Sequence, residues 1–380
     1  MRLLLPLLAA CVVGFCCSSP RVTGDSRGVE PAALSSAERA AIEAKVREHL
    51  KLPADAALGP AEFARVTELT FRGPQITDAG LAWLADPATG LVGLTSLTLR
   101  STMVTDRGLK HLAHPCTGLK NLRTLEILEI EPAGAGVTDA GVLALAAADT
   151  GLGELRSLWL WCKGVSDAGV RGLARADTSL KGLTKLDLRG ATVTDAAVSE
   201  LTRADTGLGH LTELCLGFEH VTDAALKDLA RAETGLKDLT DLVLVNTQVT
   251  DAGLKEISRD GTGLKGLTRL VIPAPRVTDA GLKELARHGT GLSRLNSLTV
   301  GWDGVTDAGV ADLARADTGL KGLTDLALLS KSVTDAGMKN LARADTGLKG
   351  LKSLSLQRAS VTDAGVAAVE ARWPGISILR

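Results

Sequence analysis

Eleven aspartates recur along this chain, each directly after a threonine or serine: Asp78, Asp106, Asp139, Asp167, Asp195, Asp223, Asp251, Asp279, Asp307, Asp335 and Asp363. Carboxylates in such number suggest general acid–base catalysis or calcium binding. Either use needs the groups to converge on one centre, and their spacing argues against that. Every gap is 28 residues, except 33 between Asp106 and Asp139. Groups at a fixed interval of this length sit one per unit along an array, and a local task, helix capping, accounts for each. A second set, His111, His114 and Cys116, has the side chains of a metal site. These three replace the Glu, Arg and Asp of an outer helix face in other copies, so they read as solvated surface. The sequence shows no Ser-His-Asp order, phosphate-cradling glycine loop or tight carboxylate pair, and little chain lies outside the repeats to hold a catalytic domain. The expectation is a non-enzyme with no metal and no cofactor.

The elements that carry the aspartates can be read from one unit, residues 267–294. Leu267, Leu270 and Ile272 follow a spacing whose last part alternates with period two, which predicts a short strand with Leu270 and Ile272 inward. A turn leads to Val277, also inward. Thr278 or Asp279 then caps a helix, where a short side-chain oxygen meets free N–H groups at the positive helix end. Leu282, Leu285 and Ala286 make its buried stripe, and Asp279 with Lys283 and Glu284 with Arg287 are placed to pair outside. Gly291 is expected to end the helix in the left-handed conformation, with Leu292 folded behind it. Ser179 replaces that glycine in one copy, which predicts a strained or altered turn there.

The Leu-x-x-Leu-x-Leu strand followed by Val-Thr-Asp-Ala-Gly-Leu resembles the leucine-rich repeat family. The 28-residue unit is similar to its ribonuclease-inhibitor-like and cysteine-containing subclasses, of a bacterial exported type. The resemblance covers about residues 66–380. It implies an α/β fold: a right-handed βα solenoid with a parallel sheet on the concave side and helices on the convex side. Geometry agrees, since strands stack about 4.8 Å apart and helices need about 10 Å, so the helix side must fan outward. The family places Asn or Cys three residues after the last strand leucine. Here Thr102, Lys163, Ala191, Glu219, Thr247, Pro275, Asp303, Lys331 and Ala359 stand there, so a weak or absent internal ladder and looser turns are expected.

The rest of the chain divides around the repeats. Residues 1–19 carry Arg2 and an apolar run too short to span a bilayer, which suits an export signal. Leu8-Ala9-Ala10-Cys11 resembles a lipobox with Cys11 as the lipidation candidate; the alternative is a cut near Ser18 or Ser19. Residues 20–34 read as a flexible linker. Residues 35–65 read as a cap, where Ser35-Ser36-Ala37-Glu38 is a capping-box signature and Ile42, Val46, His49 and Leu50 form one stripe. Repeats fill 66–372, and 373–380 make a closing edge strand. Cys116, Cys162 and Cys215 are odd in number with no zinc spacing, so they read as free thiols filling small spaces. A formal net charge of -1 gives no long-range pull towards nucleic acid or an anionic membrane.

Recognition is then expected where the units differ, on outward strand positions. One patch holds Trp159 and Trp161 beside Lys185, Asp187 and Arg189. Trp and Arg are common binding anchors. A second holds Cys215, Val243, Val245, Val271 and Pro273, expected to be apolar and exposed. The extra residues in 129–136 should bulge from the rim. The leading expectation is a scaffold, exported and monomeric, that binds a protein on its concave face and meets a membrane only through a lipid at Cys11. The alternatives are an intracellular adaptor resembling the repeat half of ubiquitin-ligase adaptors, and an enzyme inhibitor acting by occlusion.

Overall fold

The computed structural model describes residues 33–129, 136–189 and 192–380. The leader with Cys11, most of the linker, and residues 130–135 of the rim segment lie outside the described residues. The rest forms an open parallel sheet whose strands follow one another in chain order. They are β1 (Glu68–Arg72), β2 (Ser96–Arg100), β3 (Thr124–Leu128), β4 (Ser157–Trp161), β5 (Lys185–Arg189), β6 (Glu213–Gly217), β7 (Asp241–Leu244), β8 (Arg269–Ile272), β9 (Ser297–Gly301), β10 (Asp325–Leu329), β11 (Ser353–Ser355) and β12 (Ser377–Leu379). Register is kept throughout: Leu158 lies opposite Leu186, which lies opposite Leu214. The leucine-rich repeat solenoid expected from the sequence is the fold observed.

Period-two burial explains the strands. Leu242 and Leu244 are fully buried and Val243 is half-buried on the opposite face. Each strand leucine so removed from water contributes about 2 kcal/mol. The leucines of neighbouring units merge into one continuous core from Ile42 to Trp373. Each repeat helix starts at one of the eleven aspartates, from α3 (Asp78–Ala85) to α13 (Asp363–Arg372), and most last seven residues.

The aspartates do something other than the capping expected of them. Threonine or serine is the N-cap, its hydroxyl accepting from the N–H two residues on. The aspartate, one residue later, reaches the next repeat. Asp195 Oδ1 accepts the Thr222 N–H at 2.7 Å, and Oδ2 accepts the Thr222 hydroxyl at 2.6 Å. The same pair of bonds recurs at every junction from Asp78–Thr105 to Asp335–Thr362. This is why Asp279 does not pair with Lys283, while Arg287 and Glu284 do meet, at 3.1 Å. An internal ladder therefore exists, displaced from the turn where the family places it. Threonine hydroxyls add a second ladder on the strand-entry side, as in Thr240 to the Thr212 carbonyl at 3.1 Å.

Two further expectations are corrected. The helix after Asp279 ends at Ala286, well before Gly291, and the left-handed residue of that turn is Gly289, at φ 78°. Gly291 is needed for close approach instead, because a Cβ there would strike the Thr262 methyl and the Arg259 carbonyl. Ser179, in the same place, turns its hydroxyl onto Thr150 Oγ1 at 2.6 Å. The strand-to-helix turns are not uniformly loose but take two forms. Two residues after the last strand leucine, Cys162, Phe218, Ala274 and Ser330 fold inward and are buried. At the equivalent place Ser101, Asn246, Trp302 and Arg358 have positive φ, and the last three are exposed.

Helix α1 (Ser36–Leu50) closes the first unit, with Ile42 and Val46 fully buried. Its capping box is half made. Ser35 accepts the Glu38 N–H at 3.1 Å, but the Glu38 carboxylate leaves the helix. It accepts the Thr77 N–H at 2.8 Å, the Thr77 hydroxyl at 3.0 Å and the Gly80 N–H at 3.0 Å. Glu38 thus supplies the contact that an aspartate supplies at every later junction. A short helix not read from the sequence, α2 (Pro60–Ala64), brings Phe63 edge-on to Trp83, with ring centroids 5.6 Å apart. At the other end Trp373 is buried and β12 adds to β11.

Candidate recognition surface

Strands β4 and β5 hold the first patch together. Alternation sends Trp159 and Trp161 out on the same face, and the indoles stack with centroids 6.1 Å apart and planes 21° from parallel. In-register pairing sets Trp159 opposite Asp187 and Trp161 opposite Arg189. Asp187 is the hub. It accepts from Arg189 Nε and from a terminal Arg189 nitrogen, each at 2.8 Å, and from the Trp161 indole N–H at 3.0 Å. The Arg189 guanidinium lies 4.5 Å from the Trp161 ring centre. Asp187 is buried, and burial of a carboxylate is tolerable because its charge is matched and its oxygens are bonded. Arg189 is thereby fixed rather than free to reach a ligand.

Trp159, half-buried like Trp161, donates its ring N–H to Ser157 Oγ at 3.1 Å. It walls a groove continued by Lys185, Glu213, Asp241, Arg269 and Val243. Lys185 pairs with Glu213 at 2.6 Å, and Arg269 approaches Asp241 at 3.8 Å. These four residues occupy one position on β5, β6, β7 and β8 in turn, so the groove crosses the strands. Its charges run as two opposite pairs, and its floor sets the buried Asp187 beside Leu186, Leu214 and Val243. The surface suits a polypeptide with mixed polar and apolar side chains. Exposed pairs of this kind contribute little stability, about 0.2–1 kcal/mol, so their side chains can re-pair with a partner at small cost.

The second patch is corrected. Val243, Val245, Val271 and Pro273 are half-buried and Cys215 is buried, so no broad exposed apolar surface forms. Burial and the nearby Asp187 push the Cys215 thiol up to about 12, so it is an inert filler. Cys162 is buried too, and its thiol is raised further for the same reason, with Glu129 adding to it. Cys116, Cys162 and Cys215 are free thiols. At the base of the rim segment, Glu129 accepts the Val137 N–H at 2.6 Å, and burial raises its carboxyl above the usual range. His114 Nδ1 accepts the Cys116 N–H at 3.1 Å, and burial, with help from Arg107, lowers His111. Among the described residues, no group of three or more His, Cys, Asp or Glu is placed to hold a metal ion, and no helix is long and apolar enough to cross a membrane.

One residue was missed from the sequence. Trp302 is 37% exposed at φ 91°, and its indole N–H donates to the Pro273 carbonyl at 2.6 Å. Pro273 therefore belongs with Trp302 on the rim and not with the valines. The available signal was a tryptophan in a chain that is 2% aromatic.

No protein-family model matches the sequence, and no curated protein does. Solved structures do resemble the fold. An internalin, InlF of Listeria monocytogenes, aligns over 93% of this chain and 98% of its own at 19% identity, with a TM-score of 0.47. A chain from the crystal structure of the yeast Rad7 and Elc1 complex aligns over 90% of this chain and 80% of its own at 16% identity, with a TM-score of 0.51. InlP of Listeria monocytogenes aligns over 77% and 68% at 14% identity, with a TM-score of 0.44. At these identities the likeness concerns fold alone.

Proposed function

We propose that this chain is a non-enzymatic scaffold that recognises a protein on its strand face, centred on the groove beside Trp159. The observation that carries this reading is a contrast within the molecule. Junction residues repeat unit after unit, whereas the groove is built from side chains that change with every strand: Trp159, Lys185, Glu213, Asp241 and Arg269. An array freed from its own repeat on one face is where specificity can be written. The leader supports export, with Cys11 as the anchor where it is acylated, and the protein acts as a monomer. Cross-linking in the native cell should capture a protein partner through this face. The variant Trp159→Ala/Lys185→Ala/Arg269→Ala should lose that capture while keeping its far-ultraviolet circular dichroism. Undiminished capture by the folded variant would remove the groove from the proposal.

A second reading, an intracellular adaptor, draws on the likeness to a chain of the Rad7 and Elc1 complex. Intact mass of the native protein separates the two. A mass that begins at Met1 supports the adaptor, and loss of the leader or an added lipid supports export. The third reading, an inhibitor that occludes an enzyme, predicts tight one-to-one binding to a hydrolase in titration calorimetry.

A further inference from the structure

Beyond the groove, the rim where strands turn into helices changes character in the C-terminal third. Trp302 is held there at φ 91°, a region that costs a bulky L-residue free energy and that glycine occupies readily. The strain turns the indole outward, along the rim. The ring reaches back one unit to the Pro273 carbonyl at 2.6 Å. The Arg358 guanidinium comes from two units ahead to lie 5.4 Å from the ring centre. Between them stands Ser330, small and buried, whose hydroxyl donates to the Val305 carbonyl at 2.7 Å and leaves the span open. An exposed tryptophan fixed by a hydrogen bond and a stacked arginine, at a strained backbone position, is a feature that stability alone does not favour.

The charges around it point one way. Arg276, Lys331 and Arg358 are exposed on this rim, and among the described residues none of them shares an ion pair. Asp303, next to Trp302, is the one carboxylate among them. At the matching turns of earlier units the described charged residues are Glu129, Lys163 and Glu219, which do not gather by sign. A local excess of cations beside an aromatic anchor complements a carboxylate-bearing segment.

We propose that the rim formed by Pro273, Trp302, Arg276, Lys331 and Arg358 is a second interaction surface, and that it takes an acidic polypeptide segment. An apolar side chain of that segment packs on Trp302, and its carboxylates meet the three cations. The surface is separate from the groove beside Trp159, and its binding does not depend on the groove.

The test uses the full chain and a fluorescent synthetic peptide of glutamates around a single leucine, titrated by anisotropy at low salt. A thymidine oligonucleotide and phosphatidylserine vesicles serve as competitors. The acidic peptide should bind, and neither competitor should displace it from the protein's surface. Trp302→Gly and Arg358→Gln should each weaken binding about tenfold, the scale of one anchor contact. Trp159→Ala should leave it unchanged. Because glycine relieves the positive φ, Trp302→Gly should melt no lower than the parent, which separates a binding role from a packing role. The proposal is overturned if the acidic peptide does not bind, if the Trp302→Gly and Arg358→Gln variants bind it as the parent does, or if the oligonucleotide or the vesicles occupy this rim instead.

Discussion

The two ends of the array meet the same requirement by different chemistry. Each junction needs an acceptor for a threonine N–H and hydroxyl, and the first and last units lack one neighbour. At the N-terminal end Glu38, on a packed helix, supplies the carboxylate from a buried position and bonds Thr77 and Gly80. At the other end of the described array Asp363 meets an arginine instead of a threonine of a further unit. Its side chain is 96% exposed and meets Arg380 at 2.6 Å. An unbonded buried donor is costly, whereas an exposed carboxylate is content in water. The head of the array therefore depends on a packed carboxylate, whereas the carboxylate of its last described helix rests on a surface ion pair.

The strongest disturbance separates the ends altogether. Leu244→Asp buries an unpaired carboxylate in the central core, at a cost of several kcal/mol. Hydrogen exchange should then show loss of protection in β6 to β8, with the N-terminal units melting apart from the C-terminal ones. A single unchanged melting transition would reject the inward placement of Leu244. Next comes Glu38→Ala, which strips the donors of Thr77 and Gly80 of a charged acceptor and should cost about 3 kcal/mol. The expected mark is faster amide exchange in β1 and α3, with β9 to β12 unaffected.

A smaller effect follows from pH at the last junction. Hydrogen bonds from the Thr362 hydroxyl and then its N–H hold the Asp335 carboxyl below its ordinary range. A depressed carboxyl contributes stability that is present above its unfolded value and is lost as pH falls through the folded one. Acidification below the usual aspartate range should therefore loosen α13 against its neighbour, read as exchange at Thr362 and Gly365. The smallest effect is expected from Arg380→Ala. An exposed ion pair is worth about 0.2–1 kcal/mol, so the melting temperature should barely move. A large drop would mean that the two ends are closed in the same way after all.

Much of this was legible in the sequence, and the limits have physical causes. The period fixes which leucines face inward, and Leu158, Leu186 and Leu214 align as the spacing requires. Trp159, Trp161, Asp187 and Arg189 do come together, because register brings outward residues of adjacent strands side by side. What local reading misses are bonds that leave the element. Ser35 and Glu38 look like a self-contained capping box, yet the glutamate bonds a residue 39 positions away. Asp279 looks like a cap for its own helix, yet its carboxylate serves Thr306. The exposed rim tryptophan depends on one backbone angle at residue 302, which no side-chain pattern encodes.

The carboxylate ladder has a direction. Every acceptor lies upstream in the chain and every donor downstream, beginning with Glu38. A polypeptide emerging from the ribosome would thus always find its next attachment point already built, and assembly could proceed one unit behind synthesis. Removing units just before a retained Trp373 and β12 would leave at most a wetted acid and a closed core, whereas trimming units from the head would strand a hydroxyl and an amide, so shorter molecules should keep Glu38 and lose units from the tail side.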